Sequence, residues 1–107
     1  MLIVIAEIHT REGIEHKSKV IDAFRKITAT VLAESGCHGY KLLVDADTDA
    51  DFQCKNPTVI TMLEHWESMQ HLQTHLETAH MQQAYQTEVQ DDVLEVKIRI
   101  LEKGLML

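Results

Sequence analysis

Glu64, Trp66, His71, His75 and His80 crowd one short stretch of this chain, a mixture of carboxylate, indole and imidazole suited to proton chemistry beside an apolar wall. Histidine is the natural general base near neutral pH, and a carboxylate can orient an imidazole that does such work. His71 and His75 stand four apart, so they lie on one helical face, a spacing that also suits zinc. Leu72, however, stands where the metalloprotease motif carries its Glu, and spacing fixes no third ligand, although His80 is near. A solvated helix face explains that pair without a metal, and no metal is expected. Trp66 serves equally as core filler or as the wall of a pocket, since a lone tryptophan packs first. His65 and His9 read as surface or interface residues.

These side chains need a strand followed by a helix to position them. Val59, Ile60, Thr61 and Met62 form an apolar, partly β-branched run that favours a strand. At period two, Ile60, Met62, Glu64 and Trp66 share one face, while Val59, Thr61, Leu63 and His65 share the other. Ser68 then offers an N-cap hydroxyl, with Met69, Leu72 and Leu76 at helical spacing behind it. Helix or turn continues through Gln82 to Gln90 and carries Tyr85.

Upstream, residues 2–9 read as a strand, with Leu2, Val4, Ala6 and Ile8 on one face and Ile3, Ile5, Glu7 and His9 on the other. A helix is expected from Ile14 to Ser35, its buried stripe made of Val20, Ile21, Phe24, Ile27, Thr28, Val31 and Leu32. Gly36 is placed to end it in a left-handed cap. His38 to Val44 is a second strand, with Tyr40, Leu42 and Val44 on one face. The Asp45–Asp51 run that follows has acids at calcium-loop spacing, but Ala50 stands where that loop needs Gly and Asn56 where it needs Glu. It reads as a solvated loop reaching Pro57. Val93–Leu101 alternates as the last strand, with Leu94, Val96, Ile98 and Ile100 facing one way.

With 107 residues, the chain fits one domain, residues 1–107, around one core. Its 17 acidic and 10 basic residues give a net charge of −7, which repels phosphate backbones and anionic lipid, so neither nucleic acid nor membrane is expected as a partner. The opening Met1–Ala6 run lacks a basic leader and is cut off by Glu7, so it reads as a strand, not a signal peptide. Cys37 and Cys54 then belong to a reducing cytoplasm as free thiols. Cys37 follows a helix C-terminus, whose negative dipole end disfavours a thiolate nucleophile.

The order β-α-β-β-α-β is the ferredoxin-like split arrangement: α+β, with a four-stranded antiparallel sheet and both helices on one face. Two helices cover only one face, yet the first and third strands are apolar on both. Leaving Ile3, Ile5, Val59 and Leu63 in water would expose a large apolar patch. The expected solution is a homodimer whose sheets pack face to face, with the tail Leu105-Met106-Leu107 available to cross onto the partner.

Glu34-Ser-Gly-Cys-His-Gly-Tyr40, Glu64-His-Trp-Glu-Ser68, His75-Leu-Glu-Thr-Ala-His80-Met81 and the Asp92–Leu101 segment together resemble the antibiotic biosynthesis monooxygenase family of dimeric α+β barrels, in particular its small bacterial quinol monooxygenases. The resemblance spans nearly the whole chain. It implies oxidation of a quinol or polycyclic phenol to a quinone by dioxygen, without flavin, haem or metal. A deprotonated quinol is electron-rich enough to reduce oxygen itself; the protein supplies an apolar pocket, a base and a group that holds the anion. His75 and His80 match the family's helix histidines, Trp66 its tryptophan and Tyr40 its tyrosine, while Glu64 would orient an imidazole. Met62, Leu72, Trp66 and Phe24 would wall the pocket, and Tyr85 joins Tyr40 among the substrate contacts. Another branch of the family degrades haem with an Asn in the first strand and a Trp and a ligating His in the second helical region. Ile8, His75 and Tyr85 stand at those places here, and none matches. Two other readings stay open on the same fold: a non-catalytic small-ligand module, and an isomerase that only moves protons.

Overall fold

The computed structural model describes residues 1–106; Leu107, the end of the apolar tail, lies outside the described residues. The elements run β1 (Leu2–Thr10), α1 (Ile14–Leu32), β2 (Cys37–Leu43), β3 (Val59–Trp66), α2 (Met69–Leu76), α3 (Ala79–Gln83), a π-helical turn (Ala84–Glu88) and β4 (Val93–Leu101). The four strands form one antiparallel sheet in the order β2-β3-β1-β4. That is the ferredoxin-like β-α-β-β-α-β arrangement, with the second helical region divided. Among the described residues no helix is long and apolar enough to cross a membrane.

Register decides which side chains meet the helices. β1 and β3 pair Val4 with Glu64, Ala6 with Met62 and Ile8 with Ile60, and directly opposed residues point to the same side. These six are buried with Trp66 and with Tyr40 of β2 beneath the helical layer. From above, α1 contributes Val20, Ala23, Phe24, Ile27 and Val31, a stripe at three- and four-residue spacing. Leu32 lies off that stripe and is half-exposed, contrary to expectation, while Ala23 joins it.

The helical layer is not wide enough for the sheet. Val96, Ile98 and Ile100 of β4 continue the same face beside Ile8, Ala6 and Val4. Ile98 nevertheless stays 51 % exposed and Ile100 44 %, because the short α2 and α3 stop short of that edge. An apolar cleft therefore opens between β4 and the helices. On the opposite face Ile3, Ile5, Leu63 and Leu101 form a half-buried apolar centre, rimmed by Glu7, Lys97 and Arg99. Val59 does lie on that face, opposite His9, but is buried already within the chain, at the end where Thr10 and Thr58 tie β1 to the start of β3.

Two breaks in helix position the site. The expected helix to Ser35 ends at Leu32, three residues early: Ala33 caps it, and tight turns carry the chain through Glu34 to Gly36. Gly36 takes a left-handed φ of 79°, and any Cβ there would collide with the His71 ring, so glycine is required on both counts. The second break separates α2 from α3. Ser68 caps α2 as expected, its hydroxyl accepting the His71 N–H. Thr78 then caps α3 from the Met81 N–H, while its hydroxyl donates back to the His75 carbonyl at 2.7 Å. Cys37 and Cys54 are both free.

Candidate active site

His75, on the last turn of α2, is almost wholly buried, with 1 % of its side chain exposed. The tight turn after α1 brings Glu34 to it: Oε2 lies 2.9 Å from His75 Nδ1. The same oxygen lies 2.9 Å from His80 Nε2, which α3 presents from the other side. An ionised carboxylate only accepts hydrogen bonds, so both facing nitrogens carry their protons and donate. His75 in its neutral form therefore keeps its lone pair on Nε2.

That nitrogen points toward Glu64, whose Oε1 stands 3.9 Å away, too far for a hydrogen bond. Glu64 Oε1 accepts instead from Trp66 Nε1–H at 2.9 Å. Period two along β3 places both side chains on the helical face. The Trp66 and His75 rings lie 4.5 Å apart at 34°, and Tyr40 meets the imidazole edge-on at 5.7 Å. Burial pushes the Glu64 carboxyl above its ordinary range, opposed by the Trp66 hydrogen bond and the nearby His75. Burial likewise pushes the Tyr40 and Tyr85 hydroxyls far up, so both stay protonated through the working range. The Tyr40 hydroxyl faces the Met81 sulfur at 3.8 Å.

The cleft beside β4 is a cavity of about 600 Å³, a volume suited to a small aromatic molecule. Its walls are apolar, with Val4, Leu72, Met81 and Ile98 prominent; Glu64 and His75 supply its ionisable groups and Tyr85 its hydroxyl. Of the residues singled out from sequence, Glu64, His75, Leu72 and Tyr85 line this cavity. Trp66, Met62, Phe24 and Tyr40 do not; they pack behind it in the core. His80 does not line it either. It stands across the Glu34 carboxylate, 24 % exposed. His71 leaves the group altogether, bonding Ser68 Oγ at 2.7 Å beneath Gly36. The i,i+4 pair thus does not converge; His75 converges with His80.

A second cleft, of about 390 Å³, opens where Glu34, His71, Thr74 and Thr78 reach the surface. His75 lines the large cavity and not this cleft; the link between the two is the Glu34 carboxylate, which lines the cleft and meets His75 Nδ1.

Glu34 is the residue that sequence reasoning quoted but left without a role. A signal was present. A carboxylate just past a helix C-terminus meets the negative end of the dipole and needs cationic or N–H partners to settle there. The arrangement can accept one proton at His75 Nε2, hold the resulting imidazolium against Glu34, and keep water from an apolar ligand.

The sequence profile described as antibiotic biosynthesis monooxygenase matches residues 1–87. Over 105 residues, 98% of this chain and all of the relative, the sequence is 52% identical to the protein of Escherichia coli K12 named "Probable quinol monooxygenase YgiN"; the Shigella flexneri protein of the same name matches equally. Among solved structures, PA3566 from Pseudomonas aeruginosa superposes with a TM-score of 0.79 at 25% identity, covering 97% of this chain and 94% of that one. Rv0793 from Mycobacterium tuberculosis gives a TM-score of 0.75 at 20% identity over 95% and 93% of the two chains, a likeness of fold.

Proposed function

Since the chain belongs to the antibiotic biosynthesis monooxygenase family, we propose that it oxidises a quinol or phenolic aromatic with dioxygen, without flavin, haem or a resident metal. The observation that carries the reading is His75 at the cavity wall, with Nδ1–H fixed on Glu34 and Nε2 free toward the cavity. The name of the 52%-identical relative supports the quinol class.

The ring system occupies the apolar cavity with one hydroxyl at His75 Nε2. His75 takes that proton: the O–H bond breaks, an N–H bond forms, and Glu34 stabilises the imidazolium. The aromatic anion is electron-rich enough to reduce dioxygen, and the two combine at a ring carbon as a peroxide anion. The imidazolium returns its proton to the distal oxygen. Loss of water, as the O–O bond and the C–H bond at that carbon break, leaves a carbonyl. One oxygen atom enters the product and the other leaves as water carrying both substrate hydrogens. Every electron comes from the substrate, so no external reductant is needed. Met81, Leu72 and the apolar β4 residues exclude water while the anion exists.

The open sheet face, with Ile3, Ile5, Leu63 and Leu101 at its centre, is assigned to a homodimer in which two sheets pack together. The test is oxygen uptake with a simple naphthoquinol, after dialysis against chelator and above uncatalysed autoxidation. Saturable uptake of one dioxygen per quinol, with one oxygen atom in the product, is expected. Substrate turnover without uptake would make the protein an isomerase, and binding without turnover a ligand module.

A further inference from the structure

We propose that Glu34, His75 and His80 form a binding site for a divalent transition-metal ion, and that filling it switches the base off. The three donor atoms, Glu34 Oε2, His75 Nδ1 and His80 Nε2, all lie within 4.8 Å of one another. Among the described residues this is the one such cluster. Two imidazoles and one carboxylate suit zinc, cobalt, nickel or copper, not calcium or magnesium, which take oxygen ligands.

The features that distinguish a usable site are present around the donors. Each donor is carried by a separate, fixed element: the turn closed by Gly36, the last turn of α2, and α3 capped by Thr78. Both nitrogens already converge on one carboxylate oxygen at 2.9 Å. An ion at ordinary bond lengths of about 2.0–2.2 Å requires only that the carboxylate draw back while the imidazoles close in. Glu64 stands behind the other nitrogen of His75, 3.9 Å away and beyond direct hydrogen-bond distance, on the side where carboxylates behind histidine ligands are found. The cleft at Glu34, Thr74 and Thr78 gives an entry path from solvent and room for a water ligand, on the side away from the substrate cavity.

Occupancy has a defined chemical effect. A metal on His75 Nδ1 displaces the proton that Glu34 now receives, and the neutral ring then carries its proton on Nε2. That is the tautomer without a lone pair toward the cavity. The substrate can still bind, but His75 can no longer take its proton. Metal binding stands on the donor geometry alone; the loss of turnover rests on the proposed role of His75 as base.

Titration of the full-length protein with Zn²⁺ in a calorimeter should show one ion per chain, with a dissociation constant of about 10 μM or tighter. Co²⁺ should give the intense visible absorption of a low-coordinate site and quench Trp66, the only tryptophan, whose ring lies 4.5 Å from His75. His80→Gln and Glu34→Gln should each weaken binding by about 100-fold or more, since even partners behind the ligands are worth up to that factor. His71→Gln should leave binding unchanged. In the wild type, saturating Zn²⁺ should lower kcat by about two to four orders of magnitude with KM little changed, and chelator should restore it. Absence of saturable binding, or binding indifferent to both His80→Gln and Glu34→Gln, overturns the site. Stoichiometric binding with full turnover overturns the switch. A protein without oxygen uptake still permits the calorimetric and Co²⁺ tests, so failure of the proposed activity is told apart from failure of the site.

Discussion

Glu34 Oε2 lies 2.9 Å from His75 Nδ1, although the two residues are 41 apart in sequence and belong to different elements. This one contact fixes the ring plane, the tautomer and the sign of charge the ring is ready to accept. His75→Ala should lower oxygen uptake by about two to four orders of magnitude, the usual worth of a positioned base. Glu34→Gln should lower kcat by about tenfold or more with KM little changed, because the substrate touches the imidazole and not the carboxylate. Raising the pH should partly rescue His75→Ala, as hydroxide or the substrate's own ionisation replaces the base. Equal turnover in both variants and wild type would remove His75 from the mechanism.

Glu64 makes a prediction about stability and pH. Burial raises its carboxyl above the unfolded value, so the native state binds its proton more tightly than the unfolded chain does. Below the unfolded value both states are protonated and the group is neutral to stability. As pH climbs from the unfolded value through the raised native one, the buried carboxyl is forced to ionise and stability is lost, levelling off above it. Glu64→Gln keeps an oxygen for Trp66 Nε1–H and removes that cost. Its melting temperature should match wild type near pH 4 and exceed it at pH 8. A gain that instead shrinks with rising pH would show that the charge is stabilising in place.

Leu63 tests the assembly. It sits at the centre of the open sheet face, opposite Ile5, and is only half-buried within one chain. Leu63→Asp should leave a folded protomer but place an unpaired charge between sheets, a cost of about 3–5 kcal/mol. That is about a hundredfold or more in dissociation constant. Sedimentation equilibrium should give a dimer for wild type at micromolar concentration and a monomer for the variant. A monomeric wild type refutes the proposed assembly.

Ile98 borders the cavity and is half-exposed, so enlarging it fills space instead of straining the core. Ile98→Trp should raise KM several-fold for a two-ring quinol and less for a one-ring one, with the melting temperature nearly unchanged. If both substrates respond alike, the ring system does not occupy this cavity.

The β-α-β-β-α-β arrangement and the helical-face residues were legible because hydrophobic period determines them almost alone. Ile60, Met62, Glu64 and Trp66 fall on one face by counting, and they are buried together. His75 could be picked out as a helical residue of the right chemistry. His80 was legible beside it only through the family motif, because spacing pointed to His71, four residues before, while the chain breaks before His80 and brings that residue in from a new helix. Glu34 was hidden for a similar reason. Hydrophobic periodicity ran the first helix on to Ser35, which would have left Glu34 as one more helical acid. The pocket walls were harder still. Trp66 and Phe24 are large and apolar, but size draws them under the helices, whereas the cavity forms where the helical layer falls short of β4.

Thr78 interrupts the second helical region, and that interruption resets angular phase. Five residues along an unbroken α-helix turn the side chain through about 500°, so His80 would project about 140° away from His75. The convergence of both imidazoles on one carboxylate therefore depends on a hydroxyl-bearing residue between them. A relative that retains both histidines but carries a helix-continuing residue in place of Thr78 would keep the letters of the site and lose one of its members. Matching histidines in an alignment is thus insufficient to transfer this chemistry; the residue that stops the helix has to be matched as well.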